Sequence, residues 1–319
     1  MLNRRSLLFS LGLAAVAAGT AGCSAPAPAA PADDSYSHTL TGYGGKTVTL
    51  PRAPQRVVTD FYSLAAMAPY GIRPVGAWGY GLADDTSLGG ASIEGVPIVG
   101  KDAEFNLETL AGLTPDVLIG FGNADGTGWT WWEEPVAEQA TAIAPFMPIE
   151  MRGRGVDELI GEYAELARSL GGAVDTPELA RARDDYAAAQ ERIRGLAADK
   201  QLTVLPLSIG ADTNYVGVNQ AQLQLLGACG VRFTEYPVEG DSAWAEVSWE
   251  NLAGDESDLI MVLDGYPAEA EKNPVFGDLA AIRAGQRTPW NDKRPYHHAN
   301  YAAWLNQFAD AYTAARPLT

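Results

Sequence analysis

Histidine is scarce, with His38, His297 and His298 the only three in 319 residues. So few imidazoles cannot build the multi-histidine pockets that hold bare zinc or manganese, and they leave little for imidazole acid–base chemistry. There are two cysteines, Cys23 and Cys229. Basic side chains are outnumbered, 22 Lys and Arg against 40 Asp and Glu, for a formal charge of −18. A surface of that sign makes nucleic acid and anionic lipid poor partners. The apolar run over residues 7–18 falls short of the roughly 20 residues that span a bilayer, which argues against a membrane-crossing anchor. The chain carries no Gly-X-Ser-X-Gly elbow, phosphate-cradling glycine loop or paired metal-ligand motif. A secreted hydrolase is therefore the weaker alternative, and no catalytic residue and no cofactor is assigned.

The first 22 residues read as an export signal: Arg4-Arg5, then the apolar run, then the small residues Thr20-Ala21-Gly22. Arg4-Arg5 followed by Ser-Leu-Leu is also similar to a twin-arginine signal. Ala-Gly-Cys23 resembles a bacterial lipobox, with Thr20 where an aliphatic residue is usual, so Cys23 is expected to carry lipid. Cleavage would remove two arginines and no acid, taking the charge from −18 to −20. Cys229 would then be alone, which excludes an intramolecular disulfide, and it reads as a packed residue at a helix end. Residues 23–45 are assigned to a flexible tether, the first part of it rich in Ala, Pro, Ser and Asp.

Beyond the tether, short apolar strands alternate with helices. Strands are expected at residues 47–50, 55–59, 74–78, 117–121, 202–207 and 259–263. Helices are expected at 63–70 (closed by Gly71), 107–113 and 220–229. The fold class is α/β, with two lobes of mainly parallel sheet. Thr176-Pro177-Glu178 opens a long helix reaching about residue 198, with Leu179, Ala182, Tyr186, Ala189, Ile193 and Leu196 on one narrow stripe. The expected organisation is a first lobe at 46–174, a connecting helix at 175–199 and a second lobe at 200–319. A stiff connector should limit lobe closure to small angles.

Three segments, Pro54-Gln-Arg-Val-Val-Thr59, the stretch 106–119 beginning Asn-Leu-Glu-Thr-Leu, and Leu166-Ala-Arg-Ser-Leu-Gly-Gly172, carry a family resemblance. Over residues 51–317 the chain resembles the siderophore, haem and cobalamin binding proteins of ABC importers. That resemblance implies a monomeric extracytoplasmic protein, anchored through its lipid, which encloses a ligand between two lobes and passes it to permease subunits. An iron(III)-siderophore is the expected ligand, a hydroxamate favoured slightly by the acidic charge, with haem or cobalamin as the alternative; an anchored receptor that feeds no transporter is a third reading.

Val247-Ser-Trp-Glu-Asn-Leu252 followed by Asp258 looks like a second-lobe copy of the 106–119 segment. The resemblance implies that Glu108 and Glu250 pair with permease arginines, although an acidic residue in a helix's first turn also favours the helix dipole by itself. The ligand is expected against loops at the carboxyl ends of strands. Candidates are Tyr62, Trp78, Tyr80, Trp129 and Trp131 in the first lobe, and Tyr215, Trp244 and Tyr266 in the second. Each aromatic taken singly reads equally well as core. Arg152, with Arg154, is a candidate donor to ligand oxygens, and such arginines also balance surface acids. His297 is a candidate axial haem ligand or a structural residue.

Overall fold

The computed structural model describes residues 35–80, 88–101, 104–238, 240 and 242–318. The export signal, Cys23 and most of the expected tether lie outside the described residues. The end of that tether is folded, however. β1 (Tyr36–Thr39) pairs antiparallel with β2 (Thr47–Leu50), and Tyr36, His38 and Leu40 are buried. Four alternating residues are too short a signal to separate from the polar run before them.

The first lobe continues with β3 (Val57–Asp60), α1 (Phe61–Met67), β4 (Gly76–Gly79), β5 (Ile98–Lys101), β6 (Glu104–Phe105), α2 (Leu107–Gly112), β7 (Val117–Phe121), α3 (Glu134–Ile143), β8 (Phe146–Ile149) and α4 (Val156–Ser169). Its strands lie in the order β6-β5-β4-β3-β7-β8, parallel except for the β5–β6 edge. All four residues of β3 are buried, as a strand covered by helices on both faces requires.

α5 (Pro177–Lys200) leaves this lobe, with Thr176 Oγ1 accepting from Leu179 N at 3.3 Å. Ala182, Tyr186, Ala189 and Ile193 of the expected stripe are buried.

The second lobe comprises β9 (Thr203–Ser208), β10 (Thr213–Gly217), α6 (Ala221–Ala228), β11 (Arg232–Phe233), β12 (Trp244–Ser248), α7 (Trp249–Leu252), β13 (Leu259–Leu263), α8 (Pro274–Asp278), α9 (Ala280–Arg283), β14 (Arg287–Trp290) and α10 (His298–Ala314). Its sheet runs β12-β10-β9-β13-β14. β10 is antiparallel to both neighbours, whereas β9, β13 and β14 are parallel. Cys229 is the buried C-cap of α6.

Two lobes do not mean two separate cores. Val57, Ile119 and Tyr163 from the first lobe, Tyr186 and Ile193 from α5, and Val204, Met261 and Trp290 from the second belong to one apolar cluster with α10. Removing that much apolar surface from water resists any hinge that would part the lobes.

The suspected internal copy is physical. Asn106 and Ser248 cap α2 and α7 by accepting from Thr109 N (2.8 Å) and Asn251 N (3.2 Å). Ten residues after each cap stands an aspartate, Asp116 or Asp258. Asp116 accepts from Gln55 N (2.8 Å) and Arg56 N (2.9 Å) just before β3, and Asp258 from Thr203 N (2.9 Å) at the start of β9. Each lobe thus pins its central strand with the same device. Glu108 and Glu250 occupy the second position of their helices and are exposed.

Candidate ligand-binding site

Strands β3, β4 and β7 end side by side, and the aromatic candidates of the first lobe leave from those ends. β3 closes at Asp60, which is fully buried and caps α1 by accepting from Ser63 N at 2.8 Å. Tyr62 is therefore presented from the first turn of α1. β4 closes at Gly79, where a Cβ would come 2.2 Å from the Phe61 ring, so only glycine lets α1 cross there. Tyr80 follows and is 49% exposed.

After β7 the chain folds back on itself. Asn123 N donates to Gly128 O (2.8 Å), Gly126 takes the left-handed φ of 71° that the turn needs, and Thr130 N donates to Phe121 O (2.9 Å). This loop carries the tryptophans. Trp131 lies 13° from parallel with Tyr62 at 6.0 Å and 11° from parallel with Tyr80 at 6.2 Å, and it is 37% exposed. The Phe121 ring meets its edge at 5.6 Å. Together these rings form an aromatic wall whose exposed members are Tyr80 and Trp131, with Tyr62 and Phe121 partly buried behind them.

Beneath the wall lies a second, dry layer. Trp78 has no exposed surface and Trp129 only 2%, and they pack edge to face at 6.2 Å. Trp78 also meets Trp132 at 5.3 Å. The expectation that Trp78 and Trp129 touch ligand is therefore corrected: Trp78 lies in the middle of a sheet covered on both faces, and the Trp129 indole is turned inward by a hydrogen bond from Nε1 to Asp60 Oδ2 at 3.1 Å.

Arg152 borders the wall. Its guanidinium lies 4.9 Å over Phe121 and donates to Gly122 O at 3.2 Å and to Thr130 Oγ1. Arg154 is structural instead, paired with Glu162 at 3.4 Å and donating to Thr41 Oγ1 at 2.7 Å.

The second lobe reaches the wall through residues that the sequence reading passed over. Lys293, just beyond β14, places its Nζ 5.4 Å over the Tyr80 ring. Its neighbour Asp292 acts electrostatically on Tyr62, whose phenol is pushed well above its ordinary pKa by burial first and then by Asp292 and Asp60. Burial likewise raises Asp292, with Lys293 opposing.

The other second-lobe candidates are less well placed. Tyr266 is turned aside, its hydroxyl donating to Glu271 Oε1 at 2.5 Å, and Glu271 pairs with Arg287 at 2.7 Å at the far end of β14. Trp244 is half-buried against Trp290 at 5.7 Å. Tyr215 is 42% exposed on β10 opposite Glu246, and no described ring contact joins it to the wall.

His297 is a buried helix cap whose Nδ1 accepts from Asn300 N at 3.2 Å. Burial pushes its imidazole down to about 4. The reading of His297 as a haem ligand thus loses its free imidazole. Among the described residues no cluster of His, Cys, Asp or Glu is built to hold a metal ion. The arrangement offers planar apolar surface, cation–π attraction and two cations at its rim, which suits holding a bulky chelate whole.

Known proteins resemble this chain in sequence and in fold. The chain is 27% identical over 257 residues to the Fe(3+)-citrate-binding protein YfmC of Bacillus subtilis, covering 76% of this chain and 74% of that one. It is 23% identical over 303 residues to YhfQ, a putative ABC transporter substrate-binding lipoprotein of the same organism, covering 85% and 87%. Its fold superposes on the crystal structure of DesE, a ferric-siderophore receptor protein from Streptomyces coelicolor, with a TM-score of 0.81 at 24% identity, covering 89% of this chain and 100% of that one. The model of the periplasmic binding protein family matches residues 78–293. With more than half of its length matched, the chain belongs to the periplasmic binding protein family, whose members bind substrates rather than transform them.

Proposed function

We propose that this protein captures an iron(III)-siderophore outside the cytoplasmic membrane and delivers it to an ABC import permease. The observation that carries the reading is the stack of Tyr62, Trp131 and Tyr80, the last two exposed, bordered by Arg152 on its own lobe and met by Lys293 from the other. Such a wall takes the organic framework of a chelate by apolar and cation–π contact, and the two cations donate to its oxygens. The ferric chelates bound by relatives of the same fold support the iron assignment.

Glu108 and Glu250 serve as the docking charges. Equivalent helix positions on the two lobes would let both engage permease arginines at once, which fixes register and speeds encounter. Cys23 carries the lipid anchor, and the protein works as a monomer.

Tryptophan fluorescence during titration with a ferric trihydroxamate, a ferric catecholate, ferric citrate, haem and cobalamin tests the ligand, with spectator-dye controls for light absorption by the ligands. Saturable quenching by a ferric chelate at micromolar or lower concentration is expected, and a response to haem or cobalamin alone would overturn the iron assignment. Glu108→Arg combined with Glu250→Arg should abolish uptake while leaving binding intact; unchanged uptake would remove the docking assignment.

A further inference from the structure

We infer that Asp60 is the positioning residue of the ligand wall, one buried carboxylate that holds both Tyr62 and Trp131 where their rings can stack. The inference rests on the proposed function, since it takes the wall to be the ligand surface.

The carboxylate joins three pieces of chain. Oδ1 accepts from Ser63 N at 2.8 Å at the start of the helix that bears Tyr62. Oδ2 accepts from Phe121 N at 2.7 Å and from Trp129 Nε1 at 3.1 Å, the two ends of the loop segment that leads to Trp131. Gly120 makes room, because a Cβ there would come 3.1 Å from the Asp60 Cγ.

Capping α1 does not need a charge. Asn106, Thr176, Ser248 and Asn273 cap other helices of this chain with neutral side chains. A neutral cap at position 60 would serve Ser63 but leave too few lone pairs for Phe121 and Trp129. Burying an ion is costly unless hydrogen bonds satisfy it, and here three donors converge on it.

Among the described residues no positively charged group balances Asp60; its hydrogen-bond donors are all neutral, and burial raises its carboxyl to about 6. The titratable groups that face it are the phenols of Tyr62 on α1 and Tyr163 on α4, with Asp292 of the second lobe acting on Tyr62. β4, β7 and the tryptophan loop contribute Trp78, Phe121 and Trp129, none of which titrates. A protonated Asp60 presents an O–H where an acceptor is needed, so the three donors compete for fewer lone pairs and the wall loosens.

The test uses Asp60→Asn and, should that variant fold poorly, Trp129→Phe, which deletes the indole N–H. Two readouts are taken: affinity for a ferric trihydroxamate, and the near-ultraviolet circular dichroism of the aromatic stack without ligand. Asp60→Asn should lose about tenfold or more in affinity and lose the dichroism of the stack, with its helical content kept. Wild-type affinity should fall as pH falls through about 6, and the variant should lack that step.

In a Trp131→Ala background the Asp60→Asn penalty should vanish, because asparagine still caps the helix that bears Tyr62 and what the substitution loses is the placing of the Trp131 ring. A penalty that persists undiminished there, or unchanged dichroism in both variants, would overturn the inference. Failure of the wild type to bind the probe would count against the proposed ligand, while the ligand-free dichroism would still decide the role of Asp60.

Discussion

The two lobes share a frame and differ in what they hang on it. Each places a helix cap ten residues ahead of an aspartate that pins the central strand, with an exposed glutamate two positions after the cap. Among the described residues, however, only the first lobe turns a stack of rings outward. In the second, Trp244 leans on Trp290 and Tyr266 is tied to Glu271, so the contribution to the wall comes from the charged pair Asp292 and Lys293. Matched frames suit a task that needs both lobes to present the same surface; unmatched walls suit a ligand with one apolar face and one polar face.

The largest effect that would break the comparison is on packing. Trp78 and Trp290 are both fully buried, one in each lobe. Replacing either by alanine should cost about 3–5 kcal/mol in urea unfolding. Because Trp290 belongs to the cluster shared by both lobes while Trp78 lies in a first-lobe cluster, Trp290→Ala should lower the whole transition. A separate early transition in that variant would show that the lobes unfold independently.

Next comes acid, where the lobes should respond with opposite signs. His297 is held down from 6.5 to about 4 by burial first, so the folded state prefers the neutral ring. Its stabilising effect is present above 6.5 and lost as pH falls toward 4, a difference of roughly 3 kcal/mol. Asp60 is held up from 3.8 to about 6, so its contribution grows as pH falls through the same window, also by roughly 3 kcal/mol. His297→Asn, which can still cap α10, should raise stability at pH 4.5 relative to wild type, and Asp60→Asn should lower it relative to its own value at pH 7.5 more steeply than wild type. Parallel pH profiles for the two variants would contradict the assignment.

Smaller still is the difference in ligand affinity. Trp131→Ala should weaken ferric-chelate binding by about 10- to 100-fold, the scale of a lost stacking surface, whereas Trp244→Ala should change it by less than about threefold. Equal losses in fluorescence titration would mean that the second lobe also presents an aromatic face. The smallest effect tests the shared frame: Asn106→Ala and Ser248→Ala should each cost about 1 kcal/mol in chemical denaturation. A clear inequality would show that one cap is supported by its lobe and the other is not.

Much of the frame could be read along the chain. β7 and β13 fall where apolar runs bounded by turns placed them, and α5 begins at the Thr176-Pro177 start. Gly71 closes the turn after α1 with a φ of 83°. β2 at Thr47–Leu50 was expected too, but its hairpin partner β1 was hidden, because Tyr36–Thr39 is four residues long and follows a polar stretch that reads as tether. The candidate site was legible only as a neighbourhood. Tyr62, Tyr80, Trp131 and Arg152 do gather at the strand ends, but Asp60, Asp292 and Lys293 gave no sign beyond the capping value of an aspartate before a helix.

What the sequence determined by itself were features with a local cause: the caps, the alternation of strand and helix, the long stripe of α5, and the paired glutamates two positions into their helices. Each rests on residues within a turn or two of one another, so a short window contains the physics. The exposure of each ring was decided by tertiary structure alone. Trp129 and Trp131 stand two positions apart in one loop, yet one is sealed and the other faces solvent, because the partner that claims the first indole, Asp60, lies 69 residues away. A carboxylate brought from another strand, not the composition of the loop, sorts the tryptophans into support and surface.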